Sequence, residues 1–426
     1  MNVYEWADRL INSCPQYQTG FTQLLAQSPY PISSVERSLY GARLFRIREF
    51  FHTALNIFRA ALHNKTDPIL LHWLLNETPQ SLNISYHRVL RNRHFTIPVF
   101  FRTDEVMPGR IAEIQCPGSL WGELQLTYDY ASGSNPKSGE ISPAVQFSAQ
   151  LTDFLKTRPI VHHLLDNASA PAGMRYFIEK TRGAGVKYWS IDHKCTVREC
   201  NFIRSHSFFG LCAENEFRWR LAHVGKGVTY DLPPHALFDQ KAPLVLPFWS
   251  LTRSLFSDEI RSLFTYTTPL LPAGIELPEG SRITIEEFAR WPRSHRSYYL
   301  KYAGTDVALN WGSKAVYRLS NMSSADCLEF LHRCVSRYKK GHIWLLQKEE
   351  THDDNTTFLT RDGSTHTAKL RARFSAFYGP LDCLGILAMH RHHNKVHGKP
   401  DTVLSFVLAD KAAADTITTT TLRNGG

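Results

Sequence analysis

Residues 97–122, IPVFFRTDEVMPGRIAEIQCPGSLWG, decide how this chain is read. Two short runs rich in Ile, Val and Phe, 97–102 and 110–115, flank a segment carrying Pro108-Gly109. That is the composition of two strands joined by a turn. Side chains alternate faces along a strand, so Arg102 and Asp104 share one face of the first run, and Glu113 and Gln115 one face of the second. Paired as a hairpin, the two strands turn both carboxylates toward one pocket. Beyond Gln115, the glycines of Cys116-Pro117-Gly118-Ser119 and Gly122 allow a backbone to approach a ligand closely. Oxygen donors converging beside a glycine turn suit a magnesium ion held partly by the phosphates of a nucleotide.

Composition sets the frame for this stretch. With 426 residues and 43% hydrophobic content, the chain can bury a large core distributed over two or three lobes. The formal charge is +10 and the pI near 9.2, but Lys and Arg are spread along the chain. An anionic ligand such as a nucleotide therefore fits the charge as well as a nucleic acid does. Eight cysteines in so long a chain, with Asp8 and Arg9 interrupting any apolar amino-terminal signal core, point to free thiols in a reducing compartment. The expectation is a cytoplasmic protein without membrane association, since no run approaches the ~18 apolar residues of a membrane span.

Taken in order, residues 1–90 have helical spacing, with apolar residues recurring through Val35, Leu39, Leu44, Ile47, Phe50, Phe51, Leu55 and Phe58. Ser33 followed by Glu36 has the form of a capping box at the start of a long helix. Residues 131–143 hold turn formers and predict an exposed loop; 145–165 return to helical spacing. Gly183-Ala184-Gly185 leads into an alternating run, 186–192, so 158–235 reads as a mixed α/β lobe. Within it, Cys195, Cys200, His206 and Cys212 are spaced C-x4-C-x5-H-x5-C. This is looser than the close cysteine pair of a zinc knuckle and favours separate core or pocket residues. In 236–295 the spacing predicts an apolar strand over 244–247, a helix from Ser257 and a proline-rich loop around Pro269, Pro272 and Pro278.

A second chemical stretch is 298–319, YYLKYAGTDVALNWGSKAVYRL. Lys301 lies inside an apolar run, so a rigid strand can aim its ammonium into a site. Gly304-Thr305-Asp306 and Asn310-Trp311-Gly312-Ser313-Lys314 offer backbone N–H groups, a hydroxyl and a second ammonium, the equipment of a phosphate-covering loop. The spacing of a P-loop is absent, and the stretch alone reads as an ordinary surface hairpin. Residues 323–340 predict a capped helix stopped by Gly341. A strand over 343–347 follows, whose polar end Gln347-Lys348-Glu349-Glu350 could read an adenine edge. The alternation of 369–377 places Lys369, Arg371 and Arg373 on one face, three cations that call for an anion. A buried strand over 384–389 leads into His390, His392, His393 and His397, a basic run read as a solvated or anion-contacting loop rather than a metal site. The tail beyond Ala409 is read as disordered.

The order of these motifs resembles the circularly permuted ATP-grasp ligases, the group that includes glutathionylspermidine synthetase. In that group an R-x-D strand and an E-x-N strand precede the nucleotide-clasping lobe. Here Arg102-Thr103-Asp104 and Glu113-Ile114-Gln115 correspond, with Gln in place of Asn. The strand lysine Lys301, a glycine loop, a helix, a strand ending at Gln347 and the arginine strand at Leu370-Arg371 follow in the same order. The likeness covers roughly 97–122 and 296–400. It implies an α/β (α+β) fold, ATP-grasp-like, multi-lobed and circularly permuted, with an N-terminal helical segment. The lobes implied are a helical one over 1–95, metal-binding strands over 96–157, a mixed α/β acceptor-substrate region over 158–295, a nucleotide-clasping lobe over 296–408 and a tail over 409–426.

By this resemblance Asp104, Glu113 and Gln115 hold Mg2+, and Lys241 and Lys301 contact ATP phosphates under a loop that contains Gly304, Gly312, Ser313 and Lys314. Gln347 and Lys348 meet adenine, Arg371 or Arg373 stabilises the transferring phosphoryl group and the tetrahedral intermediate, and Arg102 is counted with them among the catalytic residues. The expected activity is an ATP- and magnesium-dependent carboxylate–amine ligase, ADP-forming, making an amide or peptide bond on a small-molecule or peptide acid and amine. Two other readings stand beside it: a basic nucleic-acid-binding protein, and an ATP-grasp-like nucleotide binder without turnover.

Overall fold

The computed structural model describes residues 23–77, 97–116, 119–134, 141–164, 172–190, 200–205, 227–231, 236–238, 240–310, 314–360, 364–393 and 401–410. Helices and sheets are mixed along it, and the strands fall into three sheets. The first four strands, β1 (Leu24–Ala26), β2 (Tyr30–Ser33), β3 (Phe101–Met107) and β4 (Arg110–Gln115), join the last four in one eight-stranded sheet. Those last four are β15 (His352–Leu359), β16 (Thr365–Tyr378), β17 (Cys383–Arg391) and β18 (Val403–Asp410). Because β15 pairs with both β1 and β16, the strands β15, β1, β18, β17 and β16 close into a ring, from which β3 and β4 extend as a wing. Between them come β5 (Ile160–Leu164), β6 (Lys187–Ser190), β7 (Phe202–Ser205) and β8 (Thr229–Tyr230), a parallel sheet in the order β6-β5-β7-β8. Next are β9 (Thr267–Leu271), β10 (Gly274–Glu276), β11 (Arg282–Ile283), β12 (Tyr298–Tyr302), β13 (Val316–Arg318) and β14 (Trp344–Lys348), an antiparallel sheet in the order β11-β10-β9-β14-β12-β13.

The long first helix, α1 (Ser34–Leu62), begins as its sequence predicts: the Ser33 hydroxyl accepts from the Glu36 N–H while the Glu36 carboxylate accepts from the Ser33 N–H. It and α2 (Pro68–Leu75) cover one face of the ring. Tyr40, Ile47, Phe50 and Phe51 pack in one core with Phe101, Phe374, Ala376 and Tyr378. Phe51 lies edge-on to Phe101 and Phe238 at 5.0 and 4.8 Å between centroids, so truncating it to Ala would cost about 3–5 kcal/mol. On the other face, α3 (Trp121–Ser134), α4 (Pro143–Leu155) and α5 (Ala172–Gly183) cover Phe377, Leu387 and Phe406. They leave the half bearing Arg371, Arg373 and Ser375 for the site. Past the short α6 (Asp258–Leu263), the antiparallel sheet is covered on its apolar face by α7 (Ile285–Arg290) and, beyond the one-turn α8 (Val307–Asn310), by α9 (Ser324–Ser336), through Phe288, Cys327 and Leu331 against Leu300 and Leu346. No helix among the described residues is long and apolar enough to cross a membrane.

Several local expectations change. Two short strands, β1 and β2, precede the first long helix, and both pair in parallel with β18 almost four hundred residues later. Three or four residues carry no periodicity that a local reading can register. The helix expected over 145–165 ends at Leu155, where Lys156 takes a left-handed conformation at φ 54°, and the chain re-enters as β5. The apolar run at 244–247 is part of a buried 3-10 turn, Ala242–Val245, with Pro243 in its first turn, instead of a strand. Pro269 lies inside β9 opposite Leu345, where a loop was expected. Gly122 serves helix packing instead of a ligand: a Cβ there would lie 1.8 Å from the Gly173 carbonyl oxygen, so α3 and α5 touch backbone to backbone. The helix over 323–340 is α9 capped by Ser323, followed by a 3-10 turn and Gly341 at φ 87°, as expected.

Candidate functional site

The expected hairpin forms from β3 and β4, in a register that sets Asp104 opposite Glu113 and Arg102 opposite Gln115, and β16 continues the same face with Ser375 opposite Asp104. Arg102, 3% exposed, grips Asp104 with both arms of its guanidinium, Nε to Oδ1 at 2.7 Å and Nη2 to Oδ2 at 2.9 Å. It also donates to the Ser119 carbonyl. The Ser375 hydroxyl donates to Asp104 Oδ1 at 2.7 Å. Gln115 donates its amide N–H groups to Asp104 Oδ2 at 3.2 Å and Glu113 Oε1 at 3.3 Å, bridging the two carboxylates. Lys241, from the start of the buried 3-10 turn, places Nζ 3.2 Å from Glu113 Oε1. Burial pushes the Glu113 carboxyl up, but Lys241, Lys301 and Arg102 outweigh it and hold the group below its ordinary value.

The antiparallel sheet supplies the opposite wall. Its strand register sets Tyr299 opposite Gln347 and Arg318, and Gln347 opposite Thr267. Lys301, two residues from Tyr299 and therefore on the same face, donates from Nζ to Gln347 Oε1 at 2.6 Å. Burial between the walls lowers the Lys301 ammonium to about 8; Glu113 and Asp104 pull it back up, while Arg373 and Lys241 push it further down. Glu349, next on the Gln347 face, accepts from Arg318 Nε at 2.8 Å and lies 3.8 Å from Arg371 Nη1. Arg371 Nε donates to Asp353 at 3.1 Å. Arg373 forms no hydrogen bond or ion pair among the described residues; burial lowers its pKa, Arg371 adds to that, and Tyr299, Asp104 and Glu349 oppose it at longer range.

The two walls thus bring together Arg102, Asp104, Glu113, Gln115, Lys241, Lys301, Gln347, Arg371 and Arg373 from five segments of the chain. Four cations, Arg102, Lys241, Lys301 and Arg373, converge on the two carboxylates Asp104 and Glu113. Other expected residues are placed elsewhere. Lys348 is exposed opposite Tyr298, on the face that packs against helices, because it follows Gln347 by one residue. Lys314 is exposed ahead of β13, and Lys369 is exposed toward the outer end of β16. Gly304 backs onto the Tyr302 ring, where a Cβ would lie 2.4 Å from the hydroxyl oxygen. The Gln347 side chain is 2% exposed, and both of its amide N–H groups and its carbonyl are engaged, so it has no edge left to read a base. Gly312, Ser313, Cys195, His206, Cys212 and His397 lie outside the described residues; Cys200 is buried against Ile203 and Tyr230, and His390 is buried with Nδ1 against Thr356.

Sequence reasoning missed Ser375, Tyr299, Arg318 and Thr267, and placed Glu349 at an adenine edge where the structure pairs it with Arg318. Ser375 was within reach, since it extends by two residues the alternation already recognised at Arg373. Among the described residues no group of three or more His, Cys, Asp or Glu side chains is gathered to hold a metal; the acidic donors here are the Asp104–Glu113 pair with the Gln115 amide between them.

No protein-family model matches the chain, and no curated protein matches it. Among solved structures it is similar to a proposed gamma-glutamylcysteine synthetase from Methylobacillus flagellatus KT, at 12% identity over 86% of each chain and a TM-score of 0.40. At that degree of likeness a functional reading rests on the residues of the cleft themselves.

Proposed function

We propose that the protein is an ATP-dependent carboxylate–amine ligase working in this cleft, with the permuted ATP-grasp arrangement implied by its motif order. The observation that carries this reading is the charge pattern: four cations around two carboxylates, with Arg373 unpaired. A partly buried cation without a partner is costly, and a polyanion relieves that cost. In this reading Lys241, Lys301 and Arg373 hold the phosphates of ATP, while Arg371, tied to Asp353 and Glu349, borders the other end of the cleft.

Asp104, Glu113 and, after rotation of its amide, the Gln115 carbonyl would present hard oxygen donors to Mg2+. Two carboxylates and an amide are too few for an all-protein cage and suit an ion that draws its remaining ligands from phosphate and water. Such an ion would neutralise phosphate charge at the transferring group. The chain's own part is positional and electrostatic. A substrate carboxylate oxygen attacks the γ-phosphorus, the bond to the β-bridging oxygen breaks, and ADP leaves. An amine nitrogen then attacks the acyl carbon, phosphate departs with its oxygen, and the nitrogen loses a proton to form the amide. Lys301 and Arg373 face the charge that develops in the first step, without a covalent enzyme intermediate.

The test is ADP release measured over a panel of acids and amines in the presence of Mg2+, alongside MgATP binding by calorimetry. Failure to bind MgATP sinks the reading. The bidentate grip of Arg102 on Asp104 favours a second reading, a nucleotide binder without turnover, because it occupies both oxygens of a proposed metal ligand. That protein would bind ATP and release no ADP with any pair.

A further inference from the structure

Gln347 is the only side chain among the described residues that hydrogen-bonds the proposed phosphate lysine Lys301. Its carbonyl accepts from the Lys301 ammonium at 2.6 Å, while its amide nitrogen donates to the Ala112 carbonyl at 3.0 Å and to Thr267 Oγ1 at 3.0 Å. Ala112 belongs to β4, in the other sheet. One side chain therefore fixes three things at once: strand β14 to its neighbour β9, the antiparallel sheet to the carboxylate hairpin, and the direction of a lysine head group. The engaged amide nitrogen also fixes which end of the amide faces Lys301, since an N–H group cannot accept from an ammonium.

We infer that Gln347 is the positioning residue for Lys301, aiming its ammonium across the cleft at the phosphate site, and is not a reader of the adenine base. The phosphate site itself rests on the ligase reading above; the aiming of Lys301 does not. The groups facing Lys301 from every packed element are Glu113 on β4, Asp104 on β3, Arg373 on β16, Lys241 from the 3-10 turn and Gln347 on β14. Among them Gln347 is the uncharged one. Its loss changes where the ammonium points without changing the charge of the cleft.

The experiment uses the full-length protein and three variants, Gln347→Leu, Gln347→Asn and Gln347→Glu. In ligand-free protein at one fixed pH, the acetylation rate of Lys301 by dilute acetic anhydride is read by mass spectrometry. Losing a hydrogen bond to a charged group frees the amine, so Lys301 in Gln347→Leu should acetylate about tenfold faster. Gln347→Asn, one methylene short of the ammonium, should move in the same direction and serves if the leucine variant does not fold. Gln347→Glu keeps an acceptor while giving up the N–H donors, and its added negative charge favours the ammonium form, so Lys301 should acetylate at or below the wild-type rate. In parallel, the affinity of Gln347→Leu for magnesium tripolyphosphate should fall about tenfold while that for adenosine stays unchanged.

A folded Gln347→Leu or Gln347→Asn protein whose Lys301 acetylates at the wild-type rate overturns the inference, as does a Gln347→Glu protein that acetylates as fast as Gln347→Leu. A selective loss of adenosine affinity overturns it in favour of base recognition. If wild-type protein binds neither ATP nor tripolyphosphate, the ligase reading falls, and the acetylation rates still decide whether Gln347 positions Lys301.

Discussion

Two sets of buried charge in this molecule are built on opposite plans. In the parallel-sheet lobe, Arg204 on β7 meets Asp231 with Nη1 to Oδ2 at 2.6 Å, both side chains at most 1% exposed. The rings of Phe100, Trp121 and Phe147 face the guanidinium at 5.5, 4.6 and 5.1 Å. The other Asp231 oxygen accepts from the Phe100 N–H at 2.8 Å. One cation and one carboxylate balance each other among aromatic walls. The cleft instead gathers more cations than carboxylates on walls that remain partly accessible, Asp104 at 23% and Glu113 at 24%. A closed pair does architectural work; a surplus of one sign at an accessible wall is what a ligand can complete.

Breaking the closed pair should give the largest effect. Arg204→Met leaves Asp231 buried without its counter-ion and should lower unfolding free energy by about 3–5 kcal/mol, read by denaturant melts. MgATP affinity of the remaining folded protein should be unaffected; a large affinity loss with intact stability would reverse the roles assigned to the two regions. Removing a surplus charge should do the converse. Arg373→Met should weaken MgATP binding ~10- to 100-fold, measured by calorimetry, while ligand-free stability holds or rises. If that variant melts like Arg204→Met, Arg373 belongs to the architecture.

The two regions should also respond oppositely to pH. Burial raises Asp231 to about 6, so the stability linked to it is present below about pH 4 and is lost as pH rises through about 6. Burial lowers Lys301 to about 8, so its contribution is present above about pH 10.5 and is lost as pH falls through about 8. Melting temperatures of Asp231→Asn and Lys301→Met, each subtracted from wild type across pH, should show these slopes of opposite sign. MgATP affinity should fall above about pH 8 only where Lys301 is present. The smallest effect belongs to a site in neither region: Ser33→Ala removes the capping box of α1, costs about 1 kcal/mol and should leave both pH slopes and MgATP affinity alone.

Local rules made much of the cleft legible. The Pro108-Gly109 turn sets the hairpin, the two-residue period puts Asp104 with Arg102 and Glu113 with Gln115, and the same period unites Arg371 with Arg373 and lodges Lys301 in a strand. Those rules say nothing about which strand meets which across two hundred residues. Lys241 could not be placed, because its position depends on a buried 3-10 turn where the sequence reads as an extended strand. Gln347 was assigned to a base edge because its polarity was visible while its partners, Ala112 and Thr267, were not. The ring closure through β15 escaped for the same reason: β1 is three residues long, and its identity as a strand exists only in its pairing.

Where the two sheets join, the Ile111 carbonyl accepts from the Thr265 N–H at 2.9 Å, and Ile111 bridges to Phe264 in parallel. The next residue along β4, Ala112, receives Gln347, and Arg110 reaches Glu350 at 2.9 Å. A second joint lies at the other end of β12, where Ala303 and Ile343 pack in one core with Trp73 and Leu74 of α2, and the His342 ring meets the Glu77 carboxylate at 2.9 Å. The strand that carries Lys301 is therefore pinned at both ends, like a plank nailed twice, and the wall facing the carboxylates is held in place from either side.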